Sequence, residues 1–241
     1  MTYLSALLRL SIARPLLLAS ALLCGAAAQA APTGLLNDTG QTQCADASDA
    51  LVACDNATTG NAGTRPRQDG RFGRDVANPT KVGGGAAGFD FTKVCMNGTV
   101  NCTGAANTGA SPSANEWACT KDNVTNLIWS LQTQTATWNA ASAGTYPDAG
   151  HNSTTRCGFN SGWRLPTRRE LLSIVHRGLT DYSTAMIDVN YFPATQADWY
   201  WTADTYAPDP SDAWFVYFGF GDTYAISKTN SFYVRLVRSG Q

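Results

Sequence analysis

Histidine is nearly absent from this chain, with two among 241 residues, and no two cysteines stand in the C-x2-C spacing. With only His151 and His176 as imidazoles, a structural zinc site fails on spacing. There is no G-x-S-x-G elbow and no H-E-x-x-H pair, so two common hydrolase patterns are missing. An EF-hand loop is missing too. Charge is scarce: Asp, Glu, Lys and Arg make up 15% of the chain and the formal net charge is −1. Such a balance gives no general attraction for nucleic acid. Beyond residue 30 no apolar run could cross a bilayer, which takes about 20 residues. Low charge with abundant Gly, Ser, Thr, Asn and Ala suits a loop-rich exported protein.

What is present begins with a secretory pattern. Arg9 and Arg14 precede "PLLLASALLCGAAA", and "AQA" supplies small residues at 28–30; this predicts a signal peptide over 1–30. Leu23 stands where a lipobox needs a small residue, which argues against lipidation at Cys24. Without the leader the chain keeps 15 basic and 18 acidic side chains, near −3. It also keeps six cysteines, an even number that fits disulfides in an oxidising compartment. Spacing alone leaves many connectivities open; the expected set is Cys44–Cys54 and Cys95–Cys102 as local loops, with Cys119–Cys157 as the long-range tie.

Residues 31–114 read as an irregular, disulfide-containing extension, in which "FDFTKV" (89–94) is the first plausible strand. "GGGAAG" (83–88) matches a dinucleotide-binding pattern, but that motif works only between a strand and a helix. A strand-like run follows it here, so a flexible loop is the reading. From Trp117 two short strands flank a turn at Asp122–Asn123, and a helix starts near Thr137 and stops at Gly144. In "SGWRLPTRRELLSIV" (161–175), Pro166 keeps Leu165 extended, and Thr167 with Glu170 forms a capping box. Leu171, Ile174 and Val175 then make one buried helical stripe, with Gly178 as the stop. Trp163 and Leu165 are expected in the core. Four alternating runs close the chain, "WYWTADTY", "AWFVYFGF", "TYAIS" and "FYVRLVR", so the fold class is α+β with two short helices and a twisted antiparallel sheet.

The series "DNVTNLIW", "GWRLPTRREL", "YFP", "YWTAD", "AWFVYFGFG" and "VRLVR" resembles the Lcl C-terminal domain family, named for the Legionella collagen-like adhesin, over roughly residues 115–238. The resemblance implies a C-type-lectin-like domain at 115–241, distantly similar to formylglycine-generating enzymes. In the adhesin it is associated with binding sulfated polysaccharide. Asn126 stands where the family usually has glycine, and no collagen-like repeat is present. Formylglycine-generating enzymes use cysteines near the end of their domain; this chain has none after Cys157. All six remaining cysteines can pair, which leaves no thiol nucleophile, and His176 is read as a residue near the surface of its helix.

Candidate binding residues follow from chemistry. Arg65, Arg67, Arg71 and Arg74 cluster, and guanidinium forks suit sulfate, although a solvated loop pairing with Asp69 and Asp75 explains them as well. Among the C-terminal aromatics, Trp199 and Trp201 face one way and Tyr200 the other, so most of these rings belong to the core. Tyr206, Tyr224 and the loop "APDPSD", with Asp209 and Asp212, are the best solvent-facing candidates. Asp204 and Asp222 would join those two aspartates in a calcium site, but the chain lacks the calcium-dependent sugar-binding signature. Six N-x-[ST] tripeptides, starting at Asn37, Asn56, Asn97, Asn101, Asn123 and Asn152, read as turn chemistry. The expectation is an exported, non-catalytic, adhesin-like module for surface or extracellular polysaccharide or a glycosaminoglycan-like polyanion, with no cofactor, metal or nucleic-acid partner. The alternative is a structural or assembly protein of the cell envelope that binds another protein.

Overall fold

The computed structural model describes residues 37–46, 48, 50–54, 68, 70, 73–75, 79–144, 149–152, 155–179 and 181–240. The leader expected over 1–30 lies outside them. The fold is mixed α+β and mostly strands. β1 (Gln43–Ala45) and β2 (Leu51–Ala53) form a small hairpin closed by Cys44–Cys54. A seven-stranded sheet holds β3 (Phe91–Cys95), β4 (Trp117–Asp122), β5 (Leu127–Thr137), β6 (Trp199–Thr205), β7 (Asp212–Tyr217), β8 (Asp222–Ser227) and β9 (Ser231–Ser239). Their spatial order is β3-β4-β5-β9-β6-β7-β8. All four closing runs are therefore strands of one sheet. They are not a simple meander, because β9 inserts between β5 and β6 and runs parallel to β6.

Alternation along the strands puts a core on each face. In β9, Tyr233 and Val237 join a cluster with Phe89, Trp129, Leu171 and Phe218. Val234 and Leu236 join the opposite cluster with Trp163, Leu165, Trp201 and Phe215. Phe89 and β3 belong to this core and sheet, so the ordered unit begins ahead of residue 115. The glycines of "GGGAAG" pack closely and are not a loose loop. Gly84 exchanges backbone hydrogen bonds with Phe91, and a Cβ on Gly83 would lie 2.0 Å from the Phe91 carbonyl oxygen. The turn between β4 and β5 keeps its shape without glycine: Asn126 adopts φ +57°, a left-handed conformation that asparagine tolerates better than most residues. Asn123 donates to Asp90 and Thr92, and Asn37 donates to Asp122, which is the turn and loop chemistry expected of these asparagines.

The helices are short. α1 (Trp138–Ser142) is capped by Thr137, and Gly144 past its end has φ +70°. Before α2 (Arg168–Leu172), "WRL" runs extended, and Arg164 exchanges backbone hydrogen bonds with Val237 of β9. Proline then ends the extension and Thr167 caps the helix; the capping box with Glu170 is complete. Trp163 is buried, 4% exposed, as expected of an anchor. The stripe Leu171, Ile174 and Val175 is buried too, but the helix stops at Leu172 instead of continuing to Gly178. Tertiary partners take over there: His176 N–H donates to Met186 and Arg177 N–H to Thr39. Gly178 serves close approach, since a Cβ would come within 1.9 Å of the Gly40 carbonyl oxygen. His176 is buried, packed on Phe89 and accepting from Gly178 N–H, and so is neither helical nor near the surface.

Thr167→Ala removes one acceptor at the start of α2 and is expected to cost about 1 kcal/mol, measured by urea unfolding. Glu170 adds a pH dependence. Burial opposes its charge, but hydrogen bonds from Arg164 and the Thr167 N–H outweigh burial and hold its carboxyl below the usual range. Its contribution is complete above the ordinary glutamate pKa and is lost as pH falls through the lowered value.

Candidate functional site

The start of α2 lies against β6 and β7, and the three together form an open cleft of about 340 Å³. Thr167, Arg168, Arg169, Asp204, Thr205 and Trp214 line it. Trp214 reaches this side because its neighbours Ala213 and Phe215 face the opposite core. Its ring is half-buried, and the Arg168 guanidinium carbon lies 4.1 Å from the ring centroid. Tyr206 meets the same ring edge-on at 5.2 Å. Asp204 accepts from the backbone N–H of Arg168, so this carboxylate fixes the helix start to the end of β6. Arg169 is exposed. Neither arginine side chain forms an ion pair among the described residues, so both forks remain available to a ligand.

This arrangement can hold an anion and a flat, partly apolar ring side by side. A planar guanidinium binds sulfate or phosphate through two parallel hydrogen bonds, and a ring can stack on what Trp214 and Tyr206 leave exposed. Asp204 lowers the positive potential of the cleft.

The structure divides the residues expected from sequence. Tyr206 borders the cleft. Tyr224 is exposed but pairs across the sheet with Phe215, which puts it on the face opposite Trp214. The two tyrosines therefore belong to no common site. Asp209 accepts from the N–H and hydroxyl of Ser211, and these bonds hold its carboxyl below the usual range. Together with the Tyr206–Asp212 backbone hydrogen bond, Asp209 and Asp212 shape the turn between β6 and β7. Asp222 is exposed at the start of β8. Among the described residues no three His, Cys, Asp or Glu side chains are placed to hold a metal ion. Arg74 braces a loop by donating to the Gly88 carbonyl; Arg65, Arg67 and Arg71 lie outside the described residues. Arg168, Arg169 and Trp214 were missed as binding candidates, because the doubled arginine sits inside a motif that packing and capping already explain. Its one usable signal was two adjacent cations at N1 and N2 of a helix, where cations are disfavoured.

The three expected disulfides are present: Cys44–Cys54, Cys95–Cys102 and Cys119–Cys157. No described helix is long and apolar enough to cross a membrane. Comparison with curated proteins finds no match. Comparison with family models matches residues 118–238 to the Lcl C-terminal domain, a span that runs from β4 through nearly all of β9 and contains the whole cleft. With half of its length inside that match, the chain belongs to the Lcl C-terminal domain family.

Proposed function

We propose that the protein is an exported, non-catalytic, adhesin-like module that binds sulfated extracellular polysaccharide in the cleft between α2, β6 and β7. The observation that carries this reading is that Arg168, stacked over the half-buried Trp214, and Arg169 line one cleft, and neither side chain forms an ion pair among the described residues. Arginine takes the sulfate and the tryptophan takes the apolar face of a sugar ring. Three disulfides support a location outside the cytosol. A C-type-lectin-like arrangement is part of the proposal, supported by family membership and by short helices and loops carried on one twisted sheet.

Heparin and its desulfated counterpart, compared by calorimetry over a salt series, test the reading. Heparin is expected to bind at low salt with an affinity that falls as salt rises. Arg168→Ala/Arg169→Ala and Trp214→Ala are each expected to weaken binding at least tenfold, the range of an interface anchor. Equal binding of the desulfated polymer, or wild-type affinity in both variants, would remove the proposal.

A further inference from the structure

The two outer strands of the seven-stranded sheet differ in their cover. Along β3 the outward backbone groups are taken: Gly84 exchanges hydrogen bonds with Phe91, Cys102 N–H donates to the Lys93 carbonyl, and Cys95 N–H donates to Thr99. β8, at the opposite end of the sheet, has no such cover among the described residues. It carries neither proline nor lysine, and its pairing with β7 runs without a bulge, so the usual guards of an outer strand are missing. All six of its residues are exposed or half-exposed.

The ladder to β7 fixes which groups of β8 point outward. Lys228 N–H donates to the Ser211 carbonyl, and bonded pairs alternate along an antiparallel ladder. In the observed register the bonded partners are then Ile226 with Ala213, Tyr224 with Phe215 and Asp222 with Tyr217. Thr223, Ala225 and Ser227 are left with N–H and C=O directed away from the sheet. Asn230 takes the Ser227 carbonyl; the remaining outward groups have no partner among the described residues.

We propose that β8 pairs antiparallel with β8 of a second copy, about a two-fold axis between the two Ala225 residues, so that two sheets become one. In this register the strand is complementary to itself. Ala225 exchanges both backbone bonds with the partner's Ala225, and Ser227 N–H donates to the carbonyl of the partner's Thr223. Tyr224, 56% exposed, comes opposite the partner's Ile226, and such cross-strand pairs stabilise a sheet. Asp222 comes opposite the partner's Lys228, whose ammonium donates to Thr205 and Pro210 and keeps a third hydrogen. A slip of two residues in either direction loses both charge pairs. The complements all lie in β8 itself, which favours a second copy over a foreign strand, and the pairing uses up the edge, so assembly closes at two. Trp214 lies opposite Ala225. The two Trp214 residues therefore fall in one row across four strands, about 14 Å apart, with both arginine clefts on the same face. A polysaccharide that reaches both clefts gains avidity; that consequence rests on the polysaccharide reading, and the pairing does not.

Sedimentation velocity of the intact protein over a dilution series, without polysaccharide, tests the pairing. A reversible monomer–dimer equilibrium is expected, in the micromolar range because one strand edge is a smaller contact than a permanent dimer has. Ala225→Pro removes an outward N–H and no bond to β7, so it is expected to weaken dimerisation about tenfold or more while wild-type melting is retained. If that variant melts early, Tyr224→Lys, which puts a charge on the exposed edge, takes its place. In hydrogen exchange the Ala225 and Ser227 amides should gain protection as concentration rises, whereas the Tyr224 amide, bonded to β7, should be protected throughout. A monomer at every concentration, oligomers larger than two, unchanged dimerisation in a well-folded variant, or exchange at Ala225 that ignores concentration would overturn the proposal.

Discussion

Replacing Cys119 and Cys157 together by alanine is expected to cost about 4 kcal/mol, the chain-entropy value for a crosslink across this many residues. The two cysteines are separated by 38 positions and are both buried in the core beside Trp163. The bond joins β4 to the loop that leads into "WRLP", so it restricts the largest closed loop in the molecule. For Cys95–Cys102, seven positions apart, the same treatment gives about 2.5 kcal/mol. The order of the two losses is the test. Denaturant unfolding of both double variants should place the Cys119/Cys157 pair lower, with a melting temperature reduced by roughly 10 °C. Equal losses would mean that local strain or packing, not loop closure, sets what these bonds contribute.

Trp201→Ala is expected to destabilise by about 4 kcal/mol, within the range for removing a buried tryptophan. Its side chain is fully buried and packs against Phe232 at 4.6 Å, and its indole N–H donates to the Ala136 carbonyl at 3.1 Å. Alanine leaves a cavity where β5, β6 and β9 meet and also strips that carbonyl of its donor. Trp201→Phe separates the two effects, since it keeps most of the apolar volume and loses the hydrogen bond; a cost of about 1 kcal/mol is expected from the missing bond. Since whole domains are stable by only about 5–15 kcal/mol, Trp201→Ala should also reduce the yield of folded protein. A loss below 1 kcal/mol would show that the neighbouring rings collapse into the space.

The parts of this fold that could be read in advance are those set by nearby residues. The four closing strands follow from period-2 alternation between turn residues, and both helix starts follow from threonine caps. Trp163 was recognisable as an anchor because proline and the capping box fix the chain on one side of it. Determinants that lie far apart in the chain leave no such local signal. Nothing local in "FYVRLVR" says that it pairs with β5 on one side and runs parallel to β6 on the other. The end of α2 was misplaced because Met186 and Thr39 compete for the backbone N–H groups of His176 and Arg177. The glycine run looked loose since the strand it packs against comes only after it. The binding residues suffered most. Tyr206 and Tyr224 are equivalent by composition; the register between β7 and β8 sets Tyr224 opposite Phe215, while the ring contact with Trp214 puts Tyr206 on the other face. Arg168 acquires its aromatic partner solely through the docking of α2 on β7.

The placement of β9 also governs the order in which the molecule can be made. Without residues 231–239, β3–β4–β5 and β6–β7–β8 would be two separate three-strand sets, each with a bare edge where β9 lies in the folded sheet. Neither fragment can complete its ladder or close its share of the two cores during synthesis. Assembly therefore waits on the last strand, which must pair with segments made roughly a hundred residues earlier, a topology associated with slow folding. Until β9 is in place two strand edges lack their partners, and such bare edges are prone to aggregate.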